Sequence, residues 1–159
     1  MELSGNEWQE MFLTGTYPRS LDEKQRFTLP KTLRDVLEKS GGLVLYMAPG
    51  TDGSLVVYTE ESFGQLGQQL AQGPPTAQGT RAFSRLFYAQ AQRVEPDRQG
   101  RVRIPSELCT LALSSRDITL IGVRDHLEIW DPLRWQAYLG EKQPVYDQIA
   151  ESAFGGGGG

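Results

Sequence analysis

The sequence predicts an α+β fold, mostly β with short helices, in which two similar halves pair about a pseudo-two-fold axis into one core. Three observations predict it. First, Leu21 to Leu33 (LDEKQRFTLPKTL) aligns with Pro96 to Leu108 (PDRQGRVRIPSEL) at an offset of 75, matching Asp22 with Asp97, Arg26 with Arg101, Pro30 with Pro105 and Leu33 with Leu108. The match extends to Phe12 and Phe87 and to Leu45 and Leu120; after a gap of three, Leu55–Phe63 parallels Leu127–Trp135. Second, the aliphatic runs are short and bounded by turn residues, as buried strands are. Third, a half of about 50 residues buries too little surface to be comfortably stable alone, so the halves are expected to share a core.

The elements follow in order. Phe27–Leu29 and Val102–Ile104 are short extended segments after polar turns. Pro30 and Pro105 then stand where helices start, since proline suits the first helical position. Leu33, Val36 and Leu37 have helical spacing, as do Leu108, Leu111 and Ala112. Leu43–Met47 and Ile118–Val123 read as buried strands, and Leu55–Tyr58 and Leu127–Trp130 as the next pair. Thr59 and Asp131 are good helix caps, the second reinforced by Pro132. Amphipathic helices follow, carrying Phe63, Leu66 and Leu70 in one half and Trp135, Tyr138 and Leu139 in the other. Residues 71–80 (AQGPPTAQGT) read as a linker, followed by a short helix with Phe83, Leu86 and Phe87 on one face and Arg81 and Arg85 on another. The glycines of 155–159 read as a flexible tail.

Composition narrows the function. With 38% hydrophobic and 23% charged residues, the 159-residue chain has a globular composition. The longest apolar run, Leu43–Ala48, is far short of a bilayer span of about 20 residues. The start, MELSGNEWQE, has three acids and no base, unlike a secretory signal. The lone Cys109 allows no internal disulfide and no cysteine-based zinc site. A cytoplasmic protein with no membrane association is expected. No nucleophile elbow, phosphate-binding loop or paired metal ligands occur, so no enzyme activity, cofactor, metal or small-molecule substrate is expected. Cys109, Trp130 and Trp135 read as packing residues. His126 falls in a turn, without a second histidine.

The motif with chemistry is the duplicated D-x-x-x-R: Asp22-Glu23-Lys24-Gln25-Arg26 and Asp97-Arg98-Gln99-Gly100-Arg101. Arginine can clamp phosphate or donate a bidentate pair to guanine O6 and N7. An unpaired aspartate would repel phosphate, so Asp22 and Asp97 are assigned to support: bonding turn amides or orienting the arginines. Lys24, Arg98 and Arg103 flank the same turns as phosphate contacts; Arg19, Arg81, Arg85 and Arg93 are weaker candidates. The plain alternative is a structural ion pair at the base of each loop. A catalytic pairing of Asp22 with Asp97 lacks the small flanking residues such a dyad needs.

These elements, together with RAFSRLFYAQA before the second and IGVRDHLEIWDPLRW after it, resemble the MraZ family of bacterial transcriptional regulators over about Phe12–Ser152. The resemblance implies two AbrB-like swapped-hairpin repeats, residues 16–62 and 91–134, forming a β-barrel-like core. It implies a nucleoid-associated homo-oligomeric ring that binds double-stranded DNA at short repeated boxes and represses its own division and cell-wall gene cluster. Contact by Arg26 and Arg101 is part of that implication. AbrB-like halves also occur in antitoxins, which leaves a protein-interaction module as the alternative, with Tyr138, Tyr146 and Ile149 as its face. Met1–Met11 precedes the usual family start. The family has glycine before the motif arginine; Gln25 breaks that pattern, and an altered first turn is expected, because a side chain raises the energy of left-handed backbone.

The net charge of −4 conceals polarity along the chain. Residues 19–34 carry five bases and two acids, and residues 81–103 six and two. The first 18 residues have three acids and no base, and 125–159 have six acids and two bases. Both positive windows contain a D-x-x-x-R element, as a phosphate-facing surface requires.

Overall fold

The computed structural model describes residues 12–40, 42–73 and 78–155. Residues 1–11, residues 74–77 of the expected linker and residues 156–159 of the glycine tail lie outside them; Gly155 closes the last helix.

The first half runs β1 (Thr16–Ser20), β2 (Arg26–Thr28), α1 (Lys31–Lys39), β3 (Leu45–Pro49), β4 (Leu55–Thr59) and α2 (Glu60–Ala71). Next comes α3 (Gln78–Gln90). The second half runs β5 (Gln92–Val94), β6 (Arg101–Arg103), α4 (Ser106–Ala112), β7 (Asp117–Val123), β8 (His126–Trp130) and α5 (Pro132–Lys142), and the chain ends with α6 (Tyr146–Gly155).

Among the described residues six strands form one antiparallel sheet in the order β1-β7-β8-β4-β3-β5. Exchanging each strand for its repeat counterpart reverses this order onto itself, as a pseudo-two-fold requires. Each half lends its first strand to the other: β1 pairs with β7, and β5 with β3. The remaining strands, β2 and β6, form a separate ribbon that also joins the halves. The fold is α+β, with two corrections to the expectation. The sheet is open rather than barrel-like, because β2 and β6 pair with each other instead of closing it. More described residues lie in helices than in strands, because the segments between and after the halves are helical.

Alternation along the strands sets the layers. On one face Leu45, Met47, Leu55, Val57, Ile118, Leu120, Leu127 and Ile129 pack against Phe27 and Val102 of the ribbon, Leu33 and Leu37 of α1, and Leu108 and Ala112 of α4. On the other face Phe87 of α3 joins Ala48 and Val56. Phe63 of α2 stacks on Tyr46 with centroids 4.5 Å apart. The second half repeats this with Trp135 and Tyr138 of α5 against Trp130. Tyr138 is therefore committed to an internal cluster. Leu111 points outward at 53% exposure, unlike its helical partners.

The caps work as their chemistry suggests. Thr59 Oγ1 accepts from Ser62 N–H at 3.0 Å. Asp131 accepts from Leu133 N–H and from both Ser114 N–H and its hydroxyl, tying α5 to the end of α4. Pro30 and Pro105 sit one residue earlier than expected. They are N-caps with extended ψ near 140°, and their carbonyls open the helices.

His126 opens β8 rather than lying in the turn. Its Nδ1 bonds Asp125 at 2.9 Å and its Nε2 bonds Glu128 at 3.2 Å. Burial opposes its charge, but the hydrogen bonds to Glu128 and Asp125 outweigh that and raise its pKa above the usual 6.5. A raised pKa gives stability that is complete well below that value and is lost as pH rises through the folded pKa. The melting-temperature difference between wild type and His126→Gln should therefore be larger at about pH 5.5 than at about pH 8.5. An equal difference at both would mean the imidazolium contributes nothing.

Candidate nucleic-acid interface

Both D-x-x-x-R elements converge on the β2–β6 ribbon. Arg26 lies opposite Arg103, Phe27 opposite Val102, and Thr28 opposite Arg101. Phe27 and Val102 are buried, so Arg26, Arg101 and Arg103 share the opposite face. Three arginines from two halves thus line one outward strip.

Each strand is entered by the same turn. Asp22 N–H donates to Arg26 C=O at 2.9 Å, and Gln25 N–H to Asp22 C=O at 3.0 Å. Asp97, Gly100 and Arg101 repeat both bonds at the same distances. Asp22 Oδ1 accepts from the amides of Lys24 and Arg26, and Asp97 Oδ1 from those of Gln99 and Arg101. The second oxygen of each carboxylate takes its own arginine's Nε, at 2.8 Å in the first turn and 2.7 Å in the second. Arg26 Nη1 also reaches to 3.8 Å from Asp97 Oδ2, so the charges of the two halves form one chain.

The fourth turn residue is left-handed in both, with φ of 62° at Gln25 and 79° at Gly100. The first turn therefore keeps the geometry of the second, contrary to the expectation from Gln25. Hydrogen bonds hold it there: Gln25 C=O accepts from Ile104 N–H at 2.9 Å and its Oε1 from Ser106 Oγ at 3.0 Å. The counterpart bond runs from Leu29 N–H to Gly100 C=O at 2.8 Å. Each turn thus sits beside the far end of the other half's strand.

The electrostatics keep both aspartates ionised. The backbone N–H of the motif arginine lowers each carboxyl pKa most, and the guanidinium bond adds to it. A pair sharing one proton would instead raise one of them. With Nε engaged, each arginine presents the Nη side of its fork, with the carboxylate as a rear brace.

The other candidates divide. Lys24, Arg98 and Arg103 are exposed around the ribbon. Arg19 bonds the carbonyls of Thr28 and Pro18, so it braces β1 against β2. Arg93 pairs with Glu95 at 2.8 Å. Arg81 and Arg85 lie on α3, outside the ribbon. Arg34 is a cation that motif reading does not single out: from α1 it lies over Gly100, where a methyl group would stand 3.2 Å from Nη1. Among the described residues no group of His, Cys, Asp and Glu side chains is placed to hold a metal ion, and no helix is long and apolar enough to cross a membrane.

A family model described as "MraZ protein, putative antitoxin-like" matches twice, over residues 12–86 and 87–155. The chain belongs to the MraZ family. The two matches divide this MraZ-family chain into the halves whose turns meet on the ribbon. Its relatives include the transcriptional regulator MraZ of Thermobifida fusca, 42% identical over 146 residues, and that of Frankia alni, 40% identical over the same length. Each alignment covers 92% of this chain and 99% of the relative. The MraZ of Nocardia farcinica is 40% identical with the same coverage.

Proposed function

We propose that the chain is a sequence-specific, DNA-binding transcriptional repressor that places the β2–β6 ribbon in the major groove, which is wide enough for a two-stranded ribbon. The observation that carries this reading is the convergence of Arg26, Arg101 and Arg103 on one outward face. Arg26 and Arg101 read base edges, Lys24, Arg98 and Arg103 hold phosphates, and Asp22 and Asp97 fix the arginine forks. The acidic windows, residues 1–18 and 125–159, contain neither D-x-x-x-R element, which suits an approach to phosphate by the ribbon side.

The assembly is a homo-oligomeric ring acting on repeated boxes upstream of the chain's own division and cell-wall gene cluster, in the nucleoid. Support for self-association comes from Phe83 and Leu86, 41% and 65% exposed, which line one apolar groove together on α3. Weak contacts by single subunits gain avidity when several meet boxes in register. Affinity for duplexes with one, two and four boxes from the chain's own upstream region should rise steeply with box number. Equal affinity for the three would defeat the avidity mechanism.

A second reading, an antitoxin-like interaction module, is favoured by Tyr146 and Ile149, which are exposed on α6. Co-purification with a protein partner, without any shift of DNA, would select it.

A further inference from the structure

The two turns share a backbone but not their neighbours. At the first turn Gln25 carries a side chain, and the residue of α4 corresponding to Arg34 is Cys109, buried with its thiol 3.7 Å from Ile104 C=O. At the second turn Gly100 carries none, and Arg34 lies against it, with Nη1 3.2 Å, Cδ 3.6 Å and Cζ 3.7 Å from where a methyl group would stand. The pairs Gln25/Cys109 and Gly100/Arg34 are thus complementary.

The strands show the opposite imbalance. Arg103 stands across from Arg26 at the first end of the ribbon, whereas Thr28 stands across from Arg101 at the second. The first end therefore has Lys24, Arg26 and Arg103. The second has Arg98 and Arg101, and Arg34 supplies the missing cation from a helix instead of a strand. Its Nε is buried and faces Glu38 Oε1 at 3.4 Å as an ion pair. The side chain as a whole keeps 31% exposure. A phosphate at this end of the ribbon would meet the exposed part of the side chain, where a charge-assisted hydrogen bond is stronger than a neutral one.

We propose that Arg34 is a DNA-phosphate contact of the second turn, the functional counterpart of Arg103. The inference rests on the ribbon being the DNA interface. A phosphate contact predicts loss of affinity on all sequences alike and a salt dependence shallower by about one phosphate's worth of counterion release.

The test measures binding of the full chain to a duplex of its own upstream region and to an unrelated duplex of equal length across a salt series. Arg34→Ala should weaken both about three- to tenfold and lower the slope of log affinity against log salt by about 0.9. Arg34→Lys should restore most of both, because the charge remains. Arg103→Ala should match Arg34→Ala. Melting temperature and oligomer mass report the fold separately. A folded Arg34→Ala variant with wild-type slope would overturn the inference while leaving the ribbon reading intact, provided Arg103→Ala lowers the slope. A wild-type chain that binds neither duplex would overturn both.

Discussion

An Arg26→Ala, Arg101→Ala double variant should stay folded and lose at least about 30-fold in affinity for its specific duplex, since each bidentate arginine–base pair contributes about 1–3 kcal/mol of discrimination. The fold should survive because the ribbon is anchored by Phe27 and Val102, both buried, and by ladder bonds the arginine side chains do not make. The aspartates would still accept from the turn amides, so the loops keep their shape. Fluorescence anisotropy at fixed salt, with circular dichroism and mass measurement alongside, reads the result. Full affinity in a folded, oligomeric double variant would return the D-x-x-x-R elements to structural ion pairs. The single variants would then be informative in the other direction: unequal losses assign the heavier base contact to one half.

The largest effect on stability is expected at Leu120. It is fully buried in β7, opposite Tyr17 of the borrowed strand β1 and Ile129 of β8. Leu120→Ala removes buried methyl groups and leaves a cavity that a sheet ladder cannot easily collapse, so it should destabilise by about 2–5 kcal/mol. For a chain of this size that lowers the melting temperature on the order of 10 °C. Leu111→Ala is the matched control, because Leu111 is more than half exposed and should change stability by only about 0.5 kcal/mol or less. Equal destabilisation by the two would mean that Leu120 is not part of the cooperative core.

Much of this arrangement was legible in the residues. The repeat at offset 75 locates both turns, and the short aliphatic runs locate the central strands β3, β4, β7 and β8, because a strand buried in the middle of a sheet is covered on both sides. The caps at Thr59 and Asp131 were legible because their side chains act within a few residues of themselves. The two edge strands β1 and β5 were not: TYPRS and QRV are polar, and an edge strand needs only one neighbour and little burial. Nor could periodicity say that each half gives its first strand away, since alternation fixes which face is buried and not which strand lies alongside. At the site, the motif residues announced themselves by repetition. Arg34 did not, because its repeat mate is Cys109, and its relation to Gly100 exists only across the two halves. The geometry of the first turn is hidden from the sequence for a related reason. The bonds from Ile104 and Ser106 that hold Gln25 left-handed come from residues some 80 positions away in the chain.

The exchange of first strands makes this molecule a dimer carried on a single polypeptide. In two separate chains, pairing would depend on protein concentration; here the tether fixes the effective concentration of one half around the other. A symmetric dimer must also accept every substitution twice, once at each end of its ribbon. A fused one need not. Gln25 against Gly100, Cys109 against Arg34 and Thr28 against Arg103 are substitutions made once, over a backbone that stays equivalent at both ends. Fusion therefore gives each end of the strip its own chemistry without asking the scaffold to change shape.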